Sequence, residues 1–286
     1  MVTWVDDLGA TVTVVRDVRR VVSLVPSLTE TVAASRRDLL AGVTDWCSHP
    51  ADLDVPRIGG TKNPDVAAVV ALEPDLVLAN QEENRAPDLD ALRAAGVPVY
   101  VTDIRTVPDA VRSLERLLAV LGLPLPGWLT AAADEWGVPI AAGSTASPPV
   151  APPTAPTVIV PTAPTVIVPI WRRPWMALGS DTFAGDVVER LGFRNVLRDS
   201  PERYPRFDPA ALPAVDLVLL PDEPYAFTPD DGPEAFPGTP FACVDGRSLT
   251  WYGPSLAGAR ARLLALIGEP ATLDIDGRES DSRKSE

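Results

Sequence analysis

Histidine is almost missing from this chain, and that scarcity removes more chemistry than any other feature of its composition. The only one is His49, so a Ser-His-Asp triad would have to be built around it, and no GxSxG elbow is present to offer a serine. A three-histidine metal site is impossible. His49 with Cys47, in Trp46-Cys47-Ser48-His49, supplies two soft ligands at most where a closed zinc site takes four. The plain reading is a loop histidine beside a turn. Cysteine is nearly as scarce: Cys47 and Cys243 are the only two, too few and too far apart for a disulfide framework. The glycine segment RIGGTKN (57–63) fits neither dinucleotide nor P-loop spacing. The adjacent carboxylates Glu82 and Glu83 read as a solvated loop, since nothing in the sequence separates their pKa values as acid-base catalysis requires. An enzyme is therefore not expected, and no metal or cofactor is implied.

Long apolar runs are also lacking, and no window approaches the ~18 residues of a membrane-spanning helix. The opening MVTWVDDLGATVTVV shows no basic stretch followed by an apolar one and a small-residue cleavage site, so a soluble chain without an export signal is expected. Basic charge is in deficit, 25 Lys and Arg against 39 Asp and Glu for a net charge of -14. Such a surface repels phosphate backbones and anionic headgroups, which excludes nucleic acid as a partner. The acidity serves solubility, with docking onto a basic partner protein as the sharper alternative.

What is present is an α/β pattern on a scale, 286 residues with 46% hydrophobic content, that suits two lobes with separate cores. Thr3 to Val5 and Thr11 to Val15 flank Asp6-Asp7-Leu8-Gly9 and read as a hairpin at an edge. From Arg20 onward, short apolar runs alternate with helix-length segments, the mark of parallel strands with crossover helices. Strands are expected at 21–25, 41–44, 75–79 and 97–102, and helices at 27–34, 65–72 and 86–95, with Pro64 and Pro87 at helix starts. A helix over 107–121 repeats Val111, Leu114, Leu117, Leu118 and Leu121 on one face, and a second covers 128–136.

A Pro/Ala/Ser/Thr-rich stretch follows, too poor in large apolar groups for a core. It leads into a direct repeat, APTVIVPT (155–162) and APTVIVPI (163–170). Only one copy can occupy a sheet, and the second is favoured because it runs directly into Trp171. The second lobe then offers strands at 166–170, 217–220 and 241–244 and helices at 182–191, 209–212 and 255–267, with Ser180-Asp181 as N-cap chemistry. The domains expected are a hairpin (1–18), an N-terminal α/β lobe (19–104), a bridging helical segment (105–137), a linker (138–162), a C-terminal α/β lobe (163–268) and a disordered tail (269–286).

Open α/β sheets bind ligands in the loops after their strands, and those loops hold the chemically expressive residues. In the first lobe they are Pro26 and Ser27, Trp46, Thr61-Lys62-Asn63, and the run Gln81 to Arg85 that contains Glu83, Asn84 and Arg85. In the second they are Trp171-Arg172-Arg173-Pro174-Trp175, Tyr204 and Arg206, and Trp251-Tyr252. Four of the seven tryptophans fall here, and tryptophan grips a flat or macrocyclic ligand at small entropic cost. Ordinary core packing is the competing role for each. Two tryptophans and two arginines within 171–175 bury poorly without a polar partner, and their guanidinium groups suit carboxylate, phosphate or a ring face.

The strings VVSLVPSLTE, GVTDWCSHP, RIGGTKNPDVAAVVALEPDLVLANQEENR and PIWRRPWMALGSDTFAGDVVERLGFRNVL resemble the helical-backbone substrate-binding proteins of ABC importers, and within them the cobalamin-binding branch. The resemblance runs from about Val12 to Leu266. It implies the class III periplasmic-binding-protein fold, two Rossmann-like α/β lobes with mostly parallel sheets joined by a bridging helix, with ligand held in an interlobe cleft and delivered to a permease. It places Pro26, Ser27 and Trp46 on the first-lobe side of the cleft and Trp171, Trp175, Trp251 and Tyr252 on the second, and it makes Asp65 a permease-docking acid. Relatives that bind divalent metals through several histidines are excluded by the single His49. Three departures from the pattern are expected: no export signal in the sequence as it stands, a bridge shortened after Trp136, and Arg172-Arg173 where a neutral corrinoid needs no charge.

The expectation is a monomeric solute-binding protein for a cobalamin-like corrinoid. Its alternatives are a ferric siderophore or haem on the same fold, or a cytosolic corrinoid or tetrapyrrole carrier or regulator. The compartment reads as cytoplasmic from the sequence as it stands and as extracytoplasmic from the resemblance.

Overall fold

The computed structural model describes residues 1–140 and 163–268, together with the backbone of Ala271–Thr272. The chain divides into two compact units, Met1–Val138 with Thr250–Ala259, and Pro139–Leu249 with Arg260–Glu286.

Unit 1 begins with the expected hairpin, β1 (Val2–Val5) antiparallel to β2 (Thr11–Val14). The Asp6 carboxylate accepts from the Leu8 and Ala10 amides at 3.0 and 2.8 Å, and Gly9 takes the positive φ of 80° that closes the turn. The turn is fastened to the far edge of the main sheet. Asp7 receives the Ser113 hydroxyl and the Arg116 guanidinium, both at 2.6 Å, and its own amide donates to the Val101 carbonyl at 3.1 Å. Burial pushes the Asp7 carboxyl above its ordinary range, against the pull of Ser113 and Arg116.

The core of unit 1 follows as β3 (Val21–Ser23), α1 (Pro26–Arg36), β4 (Leu40–Val43), the two-residue pair β5 (Gly59–Gly60) and β6 (Asn63–Pro64), α2 (Val66–Ala71), β7 (Leu76–Asn80), α3 (Ala86–Ala94) and β8 (Val99–Thr102). Strands β4-β3-β7-β8 lie side by side in that order, all parallel. Every residue of β3, β7 and β8 is buried. That is why these strands read as unbroken apolar runs rather than alternating ones. Helices α4 (Val107–Val120) and α5 (Gly127–Glu135) follow, and α4 buries the face expected of it, including Val111, Leu114, Leu117 and Leu118.

Unit 2 contains β9 (Thr165–Ile167), the antiparallel hairpin β10 (Pro169–Arg172) and β11 (Trp175–Ala177), α6 (Phe183–Arg190), β12 (Arg194–Asn195), β13 (Leu217–Pro221), β14 (Pro240–Val244), α7 (Gly246–Thr250), α8 (Ala259–Ile267) and β15 (Ala271–Thr272). Its sheet runs β12-β9-β13-β14-β15, parallel except for β15 at the edge. Both sheets therefore place the first strand between the second and the third. The same device pins that strand in each. The Asp75 carboxylate, just before β7, accepts the Arg19 and Arg20 amides at 2.8 and 2.9 Å. Asp216, just before β13, accepts the Thr165 amide and hydroxyl, both at 2.7 Å. Each aspartate opens the string Asp-Leu-Val-Leu.

Several expectations need correction. Pro64 lies in β6, one residue ahead of the α2 cap, and Asp65 is the cap, accepting from the Ala68 amide at 2.9 Å. The α6 cap is Thr182, not Ser180-Asp181: Asp181 sits at φ 54°, and the Thr182 hydroxyl takes the Gly185 amide at 3.1 Å. The strand expected over 166–170 stops at Ile167, and the β10–β11 hairpin was not foreseen, because its charged centre breaks the apolar run. The helix expected over 255–267 is split at Gly258, φ 77°, leaving a single 3-10 turn at Pro254–Leu256 ahead of α8. Ala271–Thr272, within the tail expected to be disordered, forms β15. The second repeat copy supplies β9. The first copy, most of the linker and the rest of the tail lie outside the described residues.

Hydrogen bonds from Thr165 hold the Asp216 carboxyl below its ordinary range. A depressed carboxylate adds stability above its unfolded pKa of about 4, and that stability is lost as the pH falls through the folded value. Asp216→Asn is expected to be less stable than the parent at pH 7, with the gap closing toward pH 3. Urea midpoints at the two pH values measure it, and a gap of constant size would contradict the role given to the charge.

Candidate functional site

In unit 1 the parallel strands end on one side of the sheet, and four loops leave there. The chain reverses order between β3 and β7, so the loops after these two strands lead away in opposite directions, the place where open α/β sheets bind ligands. Pro26 opens α1 directly after β3, at a position where its missing N–H costs nothing, and Ser27 behind it is buried.

The loop after β4 is held from beneath. The Arg57 guanidinium donates to the carbonyls of Thr44 and Cys47 at 3.0 and 2.9 Å. The Cys47 thiol is buried between the hydroxyls of Thr29 and Thr44 at 3.0 and 3.1 Å, and burial raises its pKa. A thiol so placed is a packing group, not a nucleophile. His49 meets Trp251 edge-on, 5.5 Å between centroids, and its Nδ1 lies 3.0 Å from the Ser48 hydroxyl. With its neighbours so engaged, Trp46 stands out 68% exposed.

The loop after β7 is a knot of amides. Asn80 accepts from the Glu82 and Glu83 amides at 2.9 and 3.3 Å. Asn84 accepts from the Asn80 amide at 2.9 Å and donates to the carbonyls of Leu24 and Thr61, at 3.3 and 2.9 Å. One buried side chain thus ties three loops together. Lys62 donates to the Glu82 carbonyl, and Arg85 pairs with Asp88 at 2.9 Å. Asn84, Lys62 and Arg85, all expected to face ligand, are engaged by the fold itself. Thr61 is half-buried, while Asn63 and Asp65 are exposed. Glu83 departs from the solvated loop expected for it. It is half-buried, and desolvation raises its pKa, with Lys62 opposing and Glu82 adding to the rise.

Trp251 and Tyr252 were expected in the second lobe. They lie in the segment that belongs to unit 1, and both are buried. Gly253 permits this. A Cβ there would come 2.9 Å from the Ser27 carbonyl oxygen and 3.1 Å from the Thr31 hydroxyl, so only glycine lets the segment lie this close to α1.

In unit 2, β9 feeds straight into the β10–β11 hairpin, which carries an aromatic shelf. Trp175 stacks on Phe227 (5.9 Å, 6° between planes), with Phe207 and Phe236 at 5.9 and 5.6 Å. Trp171 is 44% exposed and meets Tyr225 edge-on at 5.7 Å. Arg172 lies over the Trp175 ring at 5.7 Å and is ion-paired with both Asp231 and Glu234. It is therefore not the open anion receptor that its sequence position implied. Arg173 and Arg206 are exposed, and the Arg203 guanidinium covers the half-buried Tyr204 ring at 6.0 Å. Tyr225, Asp231 and Glu234 were missed, as were Phe227 and Phe236, which are buried in the core of unit 2 and support the Trp175 ring from within. The one cue to them was the alternation of Tyr225 and Phe227 ahead of an Asp-Asp-Gly turn.

Among the described residues no group of three or more His, Cys, Asp and Glu side chains is arranged to hold a metal ion, and no helix is long and apolar enough to cross a membrane. The arrangement offers aromatic surface and hydrogen bonds, the equipment for holding a molecule.

No family model matches the chain. It is 32% identical over 102 residues to a vitamin B12-binding protein of Vibrio parahaemolyticus, a stretch that covers 35% of this chain and 37% of that protein. It is 34% identical over 121 residues to the uncharacterized ABC transporter substrate-binding lipoprotein YvrC of Bacillus subtilis, covering 41% and 38%. The chain thus spans less than two-fifths of the length of these relatives. Among solved structures, the periplasmic vitamin B12 binding protein BtuF of Vibrio cholerae superposes with a TM-score of 0.64 at 14% identity, over 88% of this chain and 97% of that one. A periplasmic heme binding protein from Pseudomonas aeruginosa does so with 0.64 at 22% identity, over 94% and 100%.

Removing the Asn84 amide strands the buried Asn80 N–H and two carbonyls, a loss of about 1–3 kcal/mol for such groups. Asn84→Ala is expected to lower unfolding stability by that amount in urea melts. A change within error would mean the knot does not hold the loops.

Proposed function

We propose, with the class III periplasmic-binding-protein fold as premise, that this chain is a non-catalytic substrate-binding protein of an ABC importer, working outside the cytoplasmic membrane, and that its ligand is a corrinoid of the cobalamin type. One observation carries the reading: an exposed tryptophan follows a strand of each parallel sheet, Trp46 in the loop after β4 and Trp171 on β10, the hairpin strand that comes after β9. A large ring exposed on a well-anchored element offers rigid contact area that suits an apolar, flat ligand.

Names borne by similar proteins support the class, since relatives are described as a vitamin B12-binding protein and an ABC transporter substrate-binding lipoprotein. Preference for a corrinoid over an anionic macrocycle draws on Arg172, whose charge is already matched by Asp231 and Glu234. Catalysis has little support, because the histidine packs against Trp251 and the Cys47 thiol is buried with a raised pKa. Asp65, exposed at the α2 cap, remains the residue proposed to dock on a permease.

A second reading, haem or a ferric siderophore, is favoured by the exposed cations Arg173 and Arg206. Titration with cyanocobalamin, haem and a ferric siderophore, followed by tryptophan quenching, separates the readings. Saturable binding of cyanocobalamin at submicromolar concentration is expected, and Trp46→Ala is expected to weaken it about tenfold, ~1.4 kcal/mol. Binding of haem or the siderophore in its place would transfer the assignment, and binding of none of the three would overturn it.

A further inference from the structure

The aromatic shelf of unit 2 holds a charge arrangement that its sequence did not announce. Arg172 is 20% exposed, lies over the Trp175 ring, and meets two carboxylates. Each carboxylate is held in place by a second donor. The Tyr225 hydroxyl donates to Asp231 at 2.7 Å, and the Gly232 amide donates to Glu234 at 2.6 Å. Gly232 is itself constrained, at φ 134° with a Cβ position only 2.8 Å from the Phe227 ring, so the turn carrying both acids takes one shape. Tyr225 in turn packs edge-on against the exposed Trp171. Asp231 is thus tied through Tyr225 to the exposed Trp171, and Glu234 is tied to the turn that Gly232 shapes.

A guanidinium has its donors in a rigid fork suited to carboxylates. When two protein carboxylates occupy that fork, a ligand carboxylate must displace one of them and also meet the net negative charge that the trio retains. A neutral, amide-decorated ring meets neither obstacle. We propose that Asp231 and Glu234 are specificity-determining residues: by occupying Arg172 they discharge the Trp171–Trp175 shelf and exclude macrocycles that bear carboxylates. The proposal rests on the macrocycle-binding reading above and names the residues that decide the charge class of the ligand.

The test compares haem, which carries two propionates, with cyanocobalamin on the full chain. In Asp231→Asn/Glu234→Gln the ratio of haem affinity to cyanocobalamin affinity is expected to rise at least tenfold over the parent. Adding Arg172→Met to that variant is expected to return the ratio to the parental value. If the double variant does not fold, Glu234→Gln alone, which alters the more exposed acid, is expected to move the ratio in the same direction by a smaller factor. A folded variant with an unchanged ratio overturns the proposal, and so does a gain that survives Arg172→Met, because the effect would then be a general field and not the unmasked guanidinium. If the parent binds neither macrocycle, the functional reading falls and this proposal falls with it; cyanocobalamin binding by the parent without a shift in the variants refutes the proposal alone.

Discussion

A parallel strand buried on both faces can carry polar chemistry only at its ends, and both sheets of this protein are governed by that constraint. In β3, β7 and β8 every side chain is inside the protein, so whatever the unit does with solvent or ligand must be done by the loops. Parallel pairing puts those loop ends together, and the central position of the first strand makes the loops on its two sides lead apart. Asp75 and Asp216 bind the start of that strand to the start of its neighbour in each unit, which pins the central strand pair in register.

The loops are made rigid by groups that would otherwise look like ligand contacts. Asn84 spends its amide on three loops, Arg57 clamps the turn before Trp46, and Arg172 is drawn into an ion-paired triad. What this leaves for a partner is ring surface together with the exposed cations Arg173 and Arg206. On the proposed reading, shape and stacking carry recognition, and charge at Arg172 acts through exclusion more than attraction. The acid pair around Arg172 expresses that logic most directly, since it removes a positive charge from the aromatic shelf without removing the side chain that supports it.

The elements that sequence alone made legible are those whose signal is local. Apolar runs such as Val21 to Ser23 and Leu76 to Asn80, the five-residue face of α4, and the hairpin around Gly9 each declare themselves within a few residues, because burial on both faces or on one stripe dictates residue type directly. The α/β class, the two parallel sheets and the tryptophan-bearing loops follow from that. The β10–β11 hairpin escaped because Arg172 and Arg173 interrupt its run, and Asp181 was mistaken for a cap because residue type cannot reveal a positive φ.

Partnership across long separations was decided by tertiary structure alone. Glu234 meets Arg172 from sixty-two positions away, Asn84 reaches Leu24 across sixty, and Trp251 leaves the second half of the chain to pack on His49 in the first unit. Composition shows that an arginine is present. Whether its charge is open to a ligand or already matched depends on which carboxylates the fold brings within a few ångströms, and Coulombic and hydrogen-bond energies fall off too steeply with distance for sequence order to stand in for that geometry.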